Sequence, residues 1–267
     1  MGASSLYEDP ALYELAFSYR DVPAEVDVLE AWYQRRHGGK GARRILELAA
    51  GPAAHAVEFA RRGAKVTALD SSAAMCAYAS RRASDQGVAL EVVQADMVGF
   101  RLPRRRFDLL VAMLDSAGHV LDLDTMVEHL RSVVAHLSPG GLYVMELSHP
   151  ADFMGGASKT QDRWRLTRHG SRVEVNFTSP PGGFDPVTQV ATCRISVRVT
   201  ERDRTRVLRD RIVLRRWTAT ELDAAARLAG PIRVVERHGS FGVEAPFGAG
   251  DPYEWRMISI LERTTDA

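Results

Sequence analysis

Apolar positions along this 267-residue chain come in short blocks with two periods, and the order of the blocks changes once, near residue 149. Residues 1–40 read as helical. Tyr7, Leu12, Leu15, Ala16 and Tyr19 recur at helical spacing, and a second helix restarts at Asp21-Val22-Pro23, with Pro in its first turn. Val26, Leu29, Trp32 and Tyr33 give that helix an apolar side before His37-Gly38-Gly39 ends it. From Arg43 to Ser148 strands alternate with helices. Ile45-Leu46-Glu47-Leu48 predicts a first buried strand, Lys65 to Leu69 a second, and Leu90 to Asp96 a third. The fourth, Phe107 to Leu114, is apolar throughout, as a strand covered on both faces should be. A helix from Asp124 to Leu137, stopped by Ser138-Pro139-Gly140-Gly141, leads to a fifth strand over Leu142 to Leu147.

Beyond His149 the period falls to two. Trp164 to Thr167 and Arg172 to Phe177 alternate around His169-Gly170, and Val187 to Thr200 and Val207 to Trp217 alternate around Glu201-Arg202-Asp203-Arg204. These segments predict an inserted antiparallel sheet of three or four strands. Thr218-Ala219-Thr220-Glu221 then reads as a capped helix start running to Gly230, followed by closing strands over Arg233 to His238 and Trp255 to Glu262. The expected fold is α/β, a doubly wound seven-stranded Rossmann-like sheet with a small antiparallel sheet inserted.

Composition narrows the class. Hydrophobic residues make up 45% and charged residues 26%, which is ordinary for a globular enzyme. No apolar run approaches the ~20 residues of a membrane helix, and the N-terminus lacks the basic and apolar regions of a secretory signal. Two cysteines make neither a disulfide framework nor a metal cluster, so a cytoplasmic setting is expected, and no metal. His129 and His136 stand two turns apart on one helix with no third ligand nearby. The net charge of +1 hides an imbalance. Residues 151–216 carry 14 Lys/Arg against 7 Asp/Glu, which leaves the remainder near −6. That basic insertion suggests an acceptor bearing carboxylate or phosphate.

The first strand runs into Ala49-Ala50-Gly51-Pro52-Ala53-Ala54, a turn whose small side chains let a ligand approach the backbone. A helix follows, and the second strand closes on Asp70. A helix N-terminus facing an anionic group, with a carboxylate beyond the next strand for ribose hydroxyls, is how α/β sheets hold nucleosides. The three glycines of a dinucleotide fingerprint are absent, as is a Walker lysine. An acid on the first strand, a glycine turn and an acid after the second strand suit a ligand with an amino-acid end and a ribose.

On these residues the chain resembles the class I S-adenosylmethionine-dependent methyltransferases, of small-molecule type. Where that family favours D/E-x-G-x-G-x-G, this chain has alanines and Pro52. The resemblance implies S-adenosyl-L-methionine as cofactor, with Glu47, Ala49 and Gly51 at the first motif and Glu47 meeting the cationic amino group. It implies Asp70 and the following Ser71 at the ribose, Asp96 on the adenine amino group, Met97 stacked on the ring, and Leu114 at the edge of the fourth strand. A lid tyrosine near the sulfonium is implied too, with Tyr19 and Tyr13 the candidates. The expected domains are residues 1–40 as helical lid, 41–150 and 217–267 as methyltransferase core, and 151–216 as inserted sheet covering the acceptor site.

Methyl transfer from a sulfonium is an in-line displacement that asks the protein to align the nucleophile, exclude water and remove a proton. The candidate base is His119 in Asp115-Ser116-Ala117-Gly118-His119, with Asp115 orienting it or the substrate. His149 after the fifth strand and His238 near the end of the sixth rank below it. Trp164 and Arg165 are candidates for the acceptor pocket, and His55 is expected to be exposed. The expected function is methyl transfer to oxygen or nitrogen of a small-molecule acceptor, with no membrane partner, nucleic acid not expected and a homo-oligomer left open. The alternatives are an RNA methyltransferase and a non-catalytic nucleoside-binding protein of the same fold.

Overall fold

In the computed structural model the described residues are 6–153, 162–168, 170–202, 204–242, 247–248 and 254–264. The N-terminal segment holds α1 (Pro10–Ala16) and α2 (Val22–Arg36). Asp9 and Asp21 cap them through the backbone N–H groups of Leu12 and Ala24, and a proline opens each first turn. The central sheet contains β1 (Arg44–Leu48), β2 (Lys65–Asp70), β3 (Glu91–Gln94), β4 (Phe107–Ala112), β5 (Leu137–Ser148), β11 (Ile232–His238) and β12 (Arg256–Arg263). Its strand order is β11-β12-β5-β4-β1-β2-β3. The pairs from β5 through β3 are parallel, whereas β12 runs antiparallel to both β5 and β11.

Helices α3 (Ala54–Arg61), α4 (Ala73–Asp85), α5 (Leu123–His136) and α6 (Ala219–Ala229) cover the sheet. One apolar layer joins Leu46, Leu48, Leu110, Met126, Leu130 and Tyr143 on one face, and another joins Ile45, Leu109, Val111, Phe59 and Trp32 on the other. Both faces of β1 and β4 are therefore dry, which is why their sequences show no alternation. One boundary differs from the sequence expectation. The segment Ser138-Pro139-Gly140-Gly141 does not separate helix from strand; β5 starts at Leu137, and its register against β4 shifts between Phe107 and Leu109.

Between β5 and α6 lies the antiparallel sheet, with β6 (Arg163–Arg168), β7 (Ser171–Thr178), β8 (Phe184–Asp185), β9 (Val190–Glu201) and β10 (Arg204–Arg215). Its order is β10-β9-β7-β6, with β8 beside β9. Val173, Val175, Ile195, Val197, Leu208 and Ile212 turn inward and pack with Leu6, Leu12 and Ala16 of the N-terminal segment. The outward positions carry Arg163, Arg165, Arg172, Arg194, Arg198, Arg209 and Arg211, all exposed. These seven arginines are thus displayed on the side of this sheet away from the protein, whereas Arg168 and Arg206 reach back to the Ser18 carbonyl and Asp9, and Arg216 is buried.

Candidate active site

A cavity of about 980 Å³ lies at the carboxyl ends of β1, β2, β3 and β4, with the N-terminal segment and the inner face of the second sheet on its walls. Of the residues singled out from the sequence, it brings together Ala49, Gly51, Asp70, Ser71, Asp96, Met97, Leu114, Asp115, His119, Tyr13, Tyr19 and Trp164. Edges at the carboxyl ends of parallel strands are where α/β sheets bind ligands.

The turn after β1 has unusual backbone geometry. Ala49, Gly51 and Ala53 have φ of 48°, 53° and 56°, so all three motif positions where the family favours glycine are left-handed here. Two are occupied by alanine, at a cost of about 1–2 kcal/mol each. A side chain on Gly51 would lie 3.9 Å from the Tyr13 ring, and its absence leaves the turn open to the cavity. Asp70 holds this turn in place, accepting the Gly51 N–H at 2.7 Å and the Ser72 N–H at 2.8 Å. Burial raises its pKa, opposed by those two N–H groups. Ser72 caps α4 through the Met75 N–H and donates from Oγ to the Tyr7 carbonyl, tying the N-terminal segment to the site. Asp96 accepts the Val98 N–H at 2.8 Å.

Glu47 is placed elsewhere than the sequence suggests: it does not line the cavity. The N-cap of helix α3 is Ala53, which has no capping side chain, and Glu47 supplies the missing acceptor to the Ala56 N–H at 2.7 Å. His55 is buried beside it, not exposed. Its ring sits 2.7 Å from Glu25 and 3.5 Å from Glu47, and although burial opposes the charge, these carboxylates raise its pKa to about 9. Glu25 in turn pairs with Arg20, whose guanidinium also grips Glu146 at 2.9 Å. Burial disfavours the Glu146 carboxylate, but Arg20 and Arg256 overcome that and hold its pKa at about 2. These contacts fasten the N-terminal segment to β5. No sequence pattern signalled the pairs of Glu146 with Arg20 and Arg256, which join residues more than a hundred positions apart.

At the other end, Leu114 and Asp115 are both left-handed, with φ of 56° and 62°. Glu146 accepts the Leu114 N–H at 2.7 Å, which helps hold this strained pair. Asp115 does not orient His119. It accepts from the Ser148 N–H, Ser148 Oγ and Arg216 at 3.0, 2.7 and 2.7 Å. The partner of His119 is Tyr7, whose hydroxyl lies 2.9 Å from Nε2. Desolvation at the cavity wall lowers the His119 pKa against the pull of Asp115, and Arg216 lowers it further, although part of the residue stays exposed to solvent. His149 does not reach the cavity. It caps a short 3-10 helix through the Ala151 N–H, and its Nε2 lies 3.6 Å from Glu254. His238 is likewise outside, stacked on Trp32 with ring centroids 4.2 Å apart. Arg165 points to solvent and pairs with Glu174.

An aromatic wall runs from Tyr7 to Tyr13, Phe17, Trp164 and Tyr19 through successive ring contacts of 4.7–5.9 Å. Trp164 Nε1 donates to the Ala16 carbonyl at 2.7 Å, joining β6 to α1. Tyr7, Phe17 and Arg216 were not anticipated from the sequence. Among the described residues no three ligating side chains gather as a metal site, and no helix is long and apolar enough to cross a membrane.

Comparison with known proteins agrees with this geometry. Residues 45–141 match a family described as a methyltransferase domain. The chain is 24% identical over 269 residues to the cypemycin N-terminal methyltransferase of Streptomyces sp, covering 98% of this chain and 100% of that protein. It is 28% identical over 192 residues to the dTDP-4-amino-2,3,4,6-tetradeoxy-D-glucose N,N-dimethyltransferase of Saccharopolyspora spinosa, covering 71% of each. Its fold is that of the S-adenosylmethionine-dependent methyltransferase from Clostridium acetobutylicum ATCC 824, with a TM-score of 0.76 at 14% identity over 94% of this chain and 95% of that one.

Proposed function

We propose that this chain is an S-adenosylmethionine-dependent methyltransferase that methylates the amine nitrogen of a small-molecule acceptor bound beside Tyr7 and His119. The carrying observation is that His119, hydrogen-bonded to the half-buried Tyr7, shares one cavity with Asp70 and Asp96. The two relatives above support nitrogen as the nucleophile, since both are named for methylation at an amine or at an N-terminus.

The donor set fits the cofactor. The Asp70 carboxylate is fixed by two backbone N–H groups and keeps lone pairs for ribose hydroxyls, and Gly51 leaves the turn open for the methionine portion. Asp96 and Met97 would take the adenine. Bound S-adenosylmethionine would supply an electrophilic methyl group. The chain's own work is alignment and proton removal. In this reading the Tyr7 hydroxyl donates to His119 Nε2, and a phenol oxygen lone pair takes the proton of the incoming ammonium. The phenol proton then passes to Nε2, leaving a neutral amine and an imidazolium. Residues 1–40 serve as a lid and residues 151–216 as the cover over the acceptor. The RNA-directed alternative is not favoured, because the basic sheet face points away from the cavity.

The test is transfer of label from methyl-tritiated S-adenosylmethionine to a panel of primary amines and to bulk RNA. Labelled N-methyl product from an amine, lost in Asp70→Ala, supports the proposal. Labelled RNA in its place refutes it.

A further inference from the structure

Resting on that reading, we infer that Arg20 and Arg216 are positioning residues for His119. Each latches one cover of the cavity, the N-terminal segment or the inserted sheet, onto the turn after β4, and that turn holds its shape only when both are seated. Two residues of β5 face two residues of the turn. Glu146 accepts the Leu114 N–H at 2.7 Å, and Ser148 donates its N–H and its hydroxyl to Asp115 at 3.0 and 2.7 Å. Leu114 and Asp115 are the left-handed pair, so the backbone there is held against its own preference. An arginine from a different cover closes each of these contacts. Arg20 sends Nη1 and Nη2 to the two Glu146 oxygens at 3.0 and 2.9 Å. Arg216, which follows β10, bonds Asp115 at 2.7 Å and Ser148 Oγ at 3.1 Å. Their side chains are 4% and 3% exposed, so neither is a solvated surface charge.

The turn leads directly to His119. Asp115 is the N-cap residue of the 3-10 helix Ser116–His119, and its carbonyl accepts the Gly118 N–H at 2.9 Å. The inserted sheet leans on the same helix. A side chain on Gly118 would lie 3.3 Å from Leu214, near the end of β10, and Trp217 Nε1 donates to the Val120 carbonyl at 3.1 Å. Arg216 lines the cavity and Arg20 does not, so Arg20 reaches the site only through Glu146 and the segment it fastens. A direct contact of Arg216 with the acceptor would act independently of Arg20, whereas two latches on one turn are coupled.

The experiment is a double-mutant cycle on the full chain with Arg20→Lys, Arg216→Lys and both together, since lysine keeps the charge and loses the planar two-point grip. Calorimetric titration with S-adenosylhomocysteine, into the cavity that Leu114 lines, is expected to show about tenfold weaker binding in each single variant. The double variant is expected to lose about the same, because either open latch releases the turn. Losses that multiply to about a hundredfold, or no loss in either single variant, overturn the inference. A ligand-free readout keeps this apart from the cofactor assignment. In the chain labelled with ¹³C-histidine, the His119 ring signal, identified by its loss in His119→Gln, is expected to move in Arg20→Lys. It should move also in a Tyr7→Phe background, where the bond from the N-terminal segment is already gone. An unmoved signal overturns the inference. A moved signal with no heat from S-adenosylhomocysteine in the unsubstituted chain refutes the cofactor assignment and supports the latch. Cooperative thermal unfolding shows which variants fold, and if the double variant does not, the His119 signals of the single variants decide.

Discussion

The Tyr7 hydroxyl and His119 Nε2, 112 positions apart in sequence, meet at 2.9 Å on the wall of the cavity. Tyr7 is carried by the N-terminal segment and His119 by the turn after β4, so docking of that segment completes the pair. Burial holds the imidazole pKa below its ordinary 6.5, which places the acid limb of the kcat/KM profile below pH 6.5. Tyr7→Phe removes a donor that favours the neutral ring. It should lower kcat by about 10²-fold, within the range for proton-transfer groups, and move the acid limb upward. A full pH profile of both proteins checks this, and an unmoved limb would separate Tyr7 from His119.

Glu146 is fully buried between Arg20 and Arg256. Its folded pKa, about 2, lies below the ordinary 4.5, so its contribution to stability is complete above pH 4.5 and drains away as pH falls toward 2. Glu146→Ala strands the buried Arg256 and leaves Arg20 only Glu25, and should destabilise the fold by about 3–5 kcal/mol. Urea denaturation at pH 7 measures it, and a loss under about 1 kcal/mol would mean that the cluster is hydrated or rearranges.

His55 behaves in the opposite sense. Its folded pKa is raised to about 9 by Glu25 and Glu47, against the effect of burial. The stabilisation is therefore complete below pH 6.5 and lost as pH rises through 9, at up to about 1.4 kcal/mol per pH unit. Denaturation midpoints between pH 6 and 10 should fall for the unsubstituted chain and stay flatter for His55→Gln.

Ala49 carries the left-handed backbone of a motif position without glycine. Ala49→Gly relieves about 1–2 kcal/mol of steric cost and gives back about 0.5–1 kcal/mol of chain entropy. A small net gain in stability is expected, with cofactor affinity kept. Differential scanning calorimetry with and without S-adenosylhomocysteine reads both quantities.

The alternating core was legible because buried strands such as β4 are written as unbroken apolar runs and helix caps such as Ser72 and Thr218 as local signals. The first motif was harder to see. Its backbone keeps left-handed geometry at residues 49, 51 and 53, but alanine conceals this at two of them. Glu47 sits where the family pattern has an acid, yet the uncapped start of α3 claims it, and nothing local distinguishes the two roles. Arg216, Tyr7 and Phe17 reach the cavity only through tertiary packing, so their one-letter context is silent. The arginine excess was read correctly as composition, and its direction needed the pleat of β6, β7, β9 and β10.

In the proposed function Asp70, held by the Gly51 N–H, takes the ribose hydroxyls above that turn. Isothermal titration of S-adenosylmethionine into the unsubstituted chain and into Asp70→Asn tests it most directly. Saturable one-site heat, weakened by about 10²-fold or more when the charged hydrogen-bond acceptor is neutralised, is the result expected. Equal affinity in both proteins, or no heat in folded unsubstituted protein, would contradict it.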